Sequence, residues 1–289
     1  MSKYIKIFNT ESEYNAYSGG TDFITPNISY VKGTDKTKYD ENEIRSYKEP
    51  SWIEPISLET FTSTTFDRIA TYITSVEIPN SVTSIGGSAF SGCSSLTSVT
   101  IPSGLTSIGG SAFQDCSSLT NIDLPSGLTS IGNSAFYNCR SLTSVMIPSG
   151  VTSIGSHVFD NCSSLTNIDL PSGLTSISGS TFQGCSSLTS IDIPSGVTSI
   201  GSYAFINCSS LTSVMIPSGV TSIGNSAFNS CSRLTSITVN ATVPPTLGNN
   251  VFQNTKNCPI YVASESLEAF KTATNWSQYA DRIQPIPNE

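Results

Sequence analysis

Charge is scarce in this chain. Of 289 residues only 12% are Asp, Glu, Lys or Arg, about half the share of roughly 25% usual in soluble domains. Bases are scarcer still, 13 Lys and Arg against 21 Asp and Glu for a net charge of -8. A surface this poor in bases has little with which to neutralise phosphates, which argues against nucleic acid and anionic lipid as partners. Histidine occurs once, as His157, so His-based metal centres and acid–base networks lack raw material. No apolar run approaches the ~18 residues of a membrane-spanning helix, and the opening MSKYIKIFNTESEYN lacks the apolar stretch of a secretory signal. The expectation is a chain without membrane insertion and without a leader. Apolar residues themselves, at 37%, suffice for a core.

What the chain has instead is a repeat. Seven of its eight cysteines stand at 93, 116, 139, 162, 185, 208 and 231, each 23 residues after the last. Units such as CSSLTSVTIPSGLTSIGGSAFQD follow one another, with a degenerate copy starting at Ala70, and roughly eight coils end near Gln253. Between 93 and 230 the charged residues are Asp115, Asp123, Arg140, Asp160, Asp169 and Asp192, so 28 of the chain's 34 charges lie elsewhere. The repeats and their flanks are different materials.

Numbered from its cysteine, each unit has apolar residues at positions 1, 4, 7, 9, 13, 16, 20 and 21. No helical period fits that list, whereas apolar 7 and 9 alternating with polar 6 and 8 read as a short strand, such as Ser98-Val99-Thr100-Ile101. Proline at position 10 ends it, because proline cannot donate to a ladder and the following Ser-Gly favours a turn. Positions 13 to 16 form a second extended piece. Gly at position 17, replaced only by Ser178, marks a corner with positive φ or a close contact between coils. Phe90, Phe113, Phe136, Phe159, Phe182, Phe205 and Phe228 then stack as an aromatic column. Such a coil buries its apolar face only on its neighbours, so the chain is a solenoid of parallel strands rising about 4.8 Å per coil and about 38 Å in all.

The pattern L-x-x-[VI]-x-[IL]-P-x-x-[VL]-x-x-I-G-x-x-A-F-x-x-C closely resembles the BspA-like class of leucine-rich repeats, over about 70 to 253. The resemblance implies an α/β-type, mostly β, right-handed leucine-rich-repeat coil and binding of macromolecules at a microbial cell surface. The motif specifies a fold far more than a function. The last copy departs from it, with Asn240-Ala241-Thr242-Val243-Pro244-Pro245 in place of IPSGV and one residue inserted before Phe252, as suits a terminal coil. Residues 254–289 are expected as a C-terminal cap with a strand at Ile260, Tyr261 and Val262 and a helix from about Ser266 to Ala273. Glu265 and Glu268 suit that helix's N-terminus, and Leu267, Phe270, Trp276, Tyr279 and Ile283 can cover the last coil.

Residues 1–48 read as a small N-terminal α+β module: a strand at Tyr4 to Phe8, a capping box at Thr10 and Glu13, Gly19-Gly20, and a strand at Asn27 to Val31. Its order and the stretch DFITPNISYV resemble short modules on proteins of gut bacteria and their phages. Residues 32 to 48 are a charged loop, and residues 49–69, with Trp52, Phe61 and Phe66, serve as linker and N-terminal cap. Near-identical repeats permit register slip, so swapped or stacked homo-oligomers are compatible with the pattern.

In-register cysteines would hold parallel Cβ vectors about 4.8 Å apart, outside the roughly 3.5–4.5 Å that disulfides prefer. Free thiols packed as small hydrophobes are expected, with Cys258 off the ladder. No C-x-x-C pair indicates zinc, and no cofactor motif is present.

Columns that vary between copies are free to serve something other than the fold. On the strand face position 6 is Ser or Asn, while position 8 reads Glu77, Thr100, Asp123, Met146, Asp169, Asp192, Met215 and Thr238. Acids and methionines on a polar floor suit a protein or glycan partner. A second strip after the Phe corner holds Ser111, Tyr137, His157, Asp160, Tyr203, Ile206 and Asn229, with Tyr203 and Ile206 expected exposed. Asp169 and Asp192, roughly 5 Å apart, match the carboxyl separation of retaining glycosidases, but an open surface desolvates neither. Together with Asn167 they offer too few oxygens for Ca²⁺, and a Ser134, His157, Asp160 grouping lacks an oxyanion hole. The reading is therefore a non-enzymatic recognition or adhesion protein without catalytic or metal-binding residues. Its candidate ligand-binding residues are Glu77, Asp123, Met146, Asp169, Asp192, Met215, Tyr203 and Ile206. By family resemblance it acts at a cell surface or extracellularly. The alternative is a structural or receptor-binding part of a phage tail or virion, attached through the N-terminal module; a virion or cytoplasmic location goes with it.

Overall fold

The computed structural model describes Tyr4–Lys6, Ile28–Ser29 and residues 74–78, 80 and 82–287. The expected capping box at Thr10 and Glu13, the charged loop 32–48 and the aromatics Trp52, Phe61 and Phe66 lie outside the described residues.

The chain is a parallel-strand solenoid of about nine turns. Its first ladder is made by positions 6 to 8, at Ser75–Glu77, Ser98–Thr100, Ser144–Met146, Asn167–Asp169, Ser213–Ile216 and Ser236–Val239. Registers step by 23, as in Val76↔Val99 and Val145↔Ile168. Apolar position 7 points in and positions 6 and 8 point out, the alternation the sequence dictates. Proline at position 10 holds most of these strands to three residues. Where Asn240 replaces it, the Asn240 N–H donates to the Ile216 C=O at 3.0 Å, and both flanking strands lengthen to four. Tyr4–Lys6 pairs in parallel with Ser75–Glu77 and Ile28–Ser29 with Tyr4–Lys6, so these two strands extend the same sheet.

A second ladder joins positions 15 and 16, from Ser84–Ile85 through Ser222–Ile223 to Thr246–Leu247. A third runs through the Phe corner, where the N–H groups of positions 19, 21 and 23 donate to carbonyls of positions 18, 20 and 22 in the next coil. Phe113 to Ala135 at 2.8 Å is one example. Here backbone at positions 19 and 23 is left-handed, as at Ser111, His157 and Tyr203 and at Asp115, Asn138 and Asn161, with φ of 56° to 61°. Glycine at position 17 therefore serves close contact and not a positive φ. A Cβ at Gly224 would lie 2.3 Å from the Ser202 nitrogen, so glycine lets one coil's corner nest on the last without a shift. Ser178 shows the consequence. Regular coils send the position 17 N–H to the preceding Ile C=O, as Gly201 does to Ile177 at 2.8 Å, but at this joint the Ser178 hydroxyl donates to the Ile154 C=O instead, at 2.7 Å.

Inside, phenylalanine rings stack from Phe90 to Phe252 at centroid spacings of 5.0–5.8 Å, within 16° of parallel. Burying each such ring contributes about 1.5–3 kcal/mol. Beside them all eight cysteines are free and buried. Packing is not their whole role: each thiol from Cys116 to Cys231 donates to the Phe C=O of the preceding coil at 3.1–3.2 Å. Burial pushes the Cys139, Cys162, Cys185, Cys208 and Cys231 thiols up, Cys231 to about 12, and for Cys116 the neighbouring Cys93 sulfur raises it more than burial does. Thiols held protonated and enclosed are poor nucleophiles.

The C-terminal segment continues the ladder. Ile260–Val262 pairs with Ser236–Val239, the helix is Leu267–Thr272, and a further strand, Ile283–Pro285, pairs with Ile260–Val262. Ile283 was expected to lie over the last coil; it is in register 23 residues beyond Ile260. Thr255, three residues after Phe252 where other coils have cysteine, donates its hydroxyl to the Phe252 C=O. The Cys258 N–H then donates to the Thr255 C=O as the Leu234 N–H does to Cys231, which puts Cys258 in the leucine place.

Candidate functional site

Position 8 forms one exposed column down the first ladder. Glu77 pairs with Thr100 and Met146 with Asp169, while a single bridge joins Asp192 to Met215. Strand register therefore sets an acid beside a methionine twice. Asp169 and Asp192 stand one coil apart in this column, with no strand pairing between them among the described residues. Met146 is 72% and Met215 59% exposed, and Glu77, Asp123, Asp169 and Asp192 are exposed as well. Among the described residues the exposed large hydrophobics are few, Tyr203 and Val243 being the others, so two methionines held this far into water stand out.

The column borders a shallow depression of about 230 Å³ at its C-terminal end. Asp192, Ser195, Met215, Pro217, Ser218 and Asn240 line it, with Ile191 and Ile193 behind. It opens where the proline column stops, because Asn240 stands at the position that proline holds in the preceding coils.

The second strip is a different kind of surface. Tyr203 is 45% exposed at a left-handed corner, but Ile206 is half-buried, contrary to the expectation of exposure. The Ile206 backbone is part of the corner ladder, its C=O accepting from the Gly184 N–H at 2.8 Å. Asp160, grouped with this strip from sequence, is only 2% exposed. Its Oδ2 accepts from His157 Nδ1 at 2.9 Å, while its Oδ1 is buried without a partner. Burial raises the Asp160 carboxyl, and the hydrogen bond from His157 opposes that. The pair brings an acid and an imidazole together, yet among the described residues no hydrogen bond joins Ser134 to His157, and the imidazole stands at the surface. It lacks the nucleophile and oxyanion donors that acyl transfer requires. Among the described residues no group of three His, Cys, Asp or Glu is placed to hold a metal ion, and no helix is long and apolar enough to cross a membrane.

The 23-residue coil, the cysteine and phenylalanine files and the position 17 glycine are now in place as a structural unit. A family model described as BspA type leucine rich repeat region matches in 6 copies, over residues 59–187 and 129–259. The chain belongs to the BspA-type leucine-rich repeat family.

Solved structures of bacterial leucine-rich repeat proteins are similar to it. A leucine-rich repeat protein from Bacteroides ovatus is 29% identical with a TM-score of 0.61, over 75% of this chain and 61% of its own. A leucine rich cell surface protein from Faecalibacterium prausnitzii is 31% identical with a TM-score of 0.54, over 75% of this chain and 66% of its own. This BspA-type chain thus spans less than two thirds of either structure. Among curated proteins none matches. Leucine-rich repeat proteins of this type are typically binding proteins without catalysis. Between the copies within this chain, position 8 is the most variable strand-face column. Sequence reading did not find the depression, although its signal, proline giving way to Asn240, is plain in the repeat alignment.

Proposed function

We propose that this chain is a non-enzymatic recognition or adhesion protein that engages a protein or glycan partner through the position 8 column at a microbial cell surface. The observation that carries it is the pairing of exposed Met146 and Met215 with Asp169 and Asp192 on a sheet face that no other part of the described chain covers. The Phe stack, the thiol hydrogen bonds and the corner glycine commit their columns to the fold, whereas position 8 changes from copy to copy. A rigid solenoid presents these side chains without an ordering cost on binding, which favours affinity from few contacts. The cell-surface description of the Faecalibacterium prausnitzii protein supports the location.

A glycan array and an extracellular-matrix protein screen, run with wild type and with Asp123, Asp169 and Asp192 changed to Ala together, test the reading. Binding that falls at least tenfold in the triple variant is expected. Binding that survives it unchanged would place recognition elsewhere on the molecule.

A further inference from the structure

The depression beside Asp192 has a chemistry more specific than the column that it borders. Four of its lining side chains are polar: the Asp192 carboxylate, the Asn240 amide and the Ser195 and Ser218 hydroxyls. All four residues are exposed, and among the described residues none of these side chains has a hydrogen-bond partner. Met215 gives the opposite kind of surface, and Pro217, which also lines the recess, is buried. A recess of about 230 Å³ is below the roughly 300–1,000 Å³ of sites for drug-sized ligands, so it suits one ring-sized unit.

We propose that this depression is a subsite for a single neutral sugar unit of a glycan. The proposal rests on the recognition reading above and narrows its partner. A sugar hydroxyl both donates and accepts, and adjacent hydroxyls match a carboxylate that only accepts beside an amide that does both. The C–H face of the ring has the exposed Met215 side chain to lie against. An anionic sugar meets Asp192 with no base lining the recess to offset the repulsion. An extended peptide is disfavoured for a separate reason. The backbone here is already taken, Met215 pairing with Asp192 on one side and Thr238 on the other, so no free strand edge remains for β-addition. Asn240 is the specific device. The preceding coils carry proline at its position, which offers no side-chain donor or acceptor, so the amide joins the carboxylate and hydroxyls only at this coil.

The test uses the full chain with ¹³C-methyl-labelled methionine, which places probes at Met215 and at Met146, three coils away in the same column. Free glucose, galactose, mannose, fucose, N-acetylglucosamine and N-acetylgalactosamine are titrated, with sialic acid as the anionic comparison. At least one neutral sugar is expected to shift the Met215 methyl saturably and leave Met146 unmoved, with sialic acid silent. Asp192→Asn and Asn240→Ala should each weaken that sugar at least tenfold, and His157→Gln should leave it unchanged; circular dichroism confirms that each variant is folded. If no neutral sugar moves Met215 by ~50 mM, far above a millimolar Kd, or if Met146 moves equally, the subsite does not exist. The two proposals fail separately. A protein partner lost on changing Asp123 and Asp169, with Met215 silent to every sugar, sinks the subsite and leaves the column. A sugar shift at Met215 with no macromolecule sensitive to those acids does the reverse.

Discussion

The interior coils and the C-terminal cap solve the same problem with different groups. In the interior, each coil's backbone satisfies the next: three ladders, the thiol bonds and the Phe stack repeat every 23 residues. At the cap no further regular coil exists, and side chains take over the carbonyls left open. Ser266 donates to Thr242, Trp276 Nε1 to Pro245, Asn275 to Leu247, and Arg282 to Phe252 and Cys258. The Phe252 N–H, which in other coils would reach the next backbone, meets the Tyr279 hydroxyl. A solenoid can therefore be built from repetition but can be ended only by irregular sequence, because buried backbone groups at an open face must still be paired.

That contrast can be broken most severely in the middle. Phe159→Ala removes a fully buried ring stacked between Phe136 and Phe182, and should cost about 3–5 kcal/mol. Urea unfolding should shift to a lower midpoint, since that ring contributes to nearest-neighbour coupling on both sides. Retention of one cooperative transition at wild-type midpoint would contradict the stack. Arg282→Met acts at the end. It strips a charged donor from the Phe252 and Cys258 carbonyls and should cost about 1.5–3 kcal/mol, seen in hydrogen exchange as fraying confined to the last coils. Uniform loss of protection along the chain would argue against a local cap.

The Ser178 joint sharpens the comparison from inside the repeats, because there a side chain does in the interior what the cap does at the end. Ser178→Ala should leave the Ile154 C=O unpaired and cost about 1–3 kcal/mol. Ser178→Gly should lose little or gain, since the backbone N–H can then reach that carbonyl as Gly201 does in its own coil. Equal thermal shifts for the two variants would refute this account of the joint.

The smallest effect concerns pH. Burial lifts the Asp160 carboxyl above its ordinary range, so the folded chain holds that proton more tightly than the unfolded chain. The resulting stabilisation is complete below the unfolded pKa and is lost as pH rises through the folded value. Asp160→Asn should therefore become progressively more stable relative to wild type as pH rises from about 4, the ordinary Asp value, toward neutrality. A stability difference that is flat over that window contradicts the assignment.

The solenoid was legible because cysteine spacing, proline at position 10 and the phenylalanine file each state a geometric constraint along the chain. Left-handed corners were missed, although position 23 advertises them: Gly92, Asp115, Asn138, Asn161, Gly184 and Asn207 are the residue types that tolerate positive φ. Counting 23 on from Ile260 would likewise have found Ile283. The thiol and Ser178 hydrogen bonds were not legible, since periodicity reports which residues face inward and not which atoms meet across coils. Half-buried Ile206 has the same cause: exposure of a corner residue depends on how the neighbouring coil seats against it. At the candidate site, sequence variation identified the column, but the recess at Asn240 emerges only when three coils lie side by side.

The claim at the centre is that recognition belongs to the strand face and not to the corner strip. For one partner found on the arrays, the decisive measurement is the Kd of Asp169→Ala with Met146→Ala set against that of Tyr203→Ser. The account predicts a loss of at least tenfold for the strand-face pair, about 1.4 kcal/mol or more, and a change within twofold for Tyr203; the reverse order would contradict it.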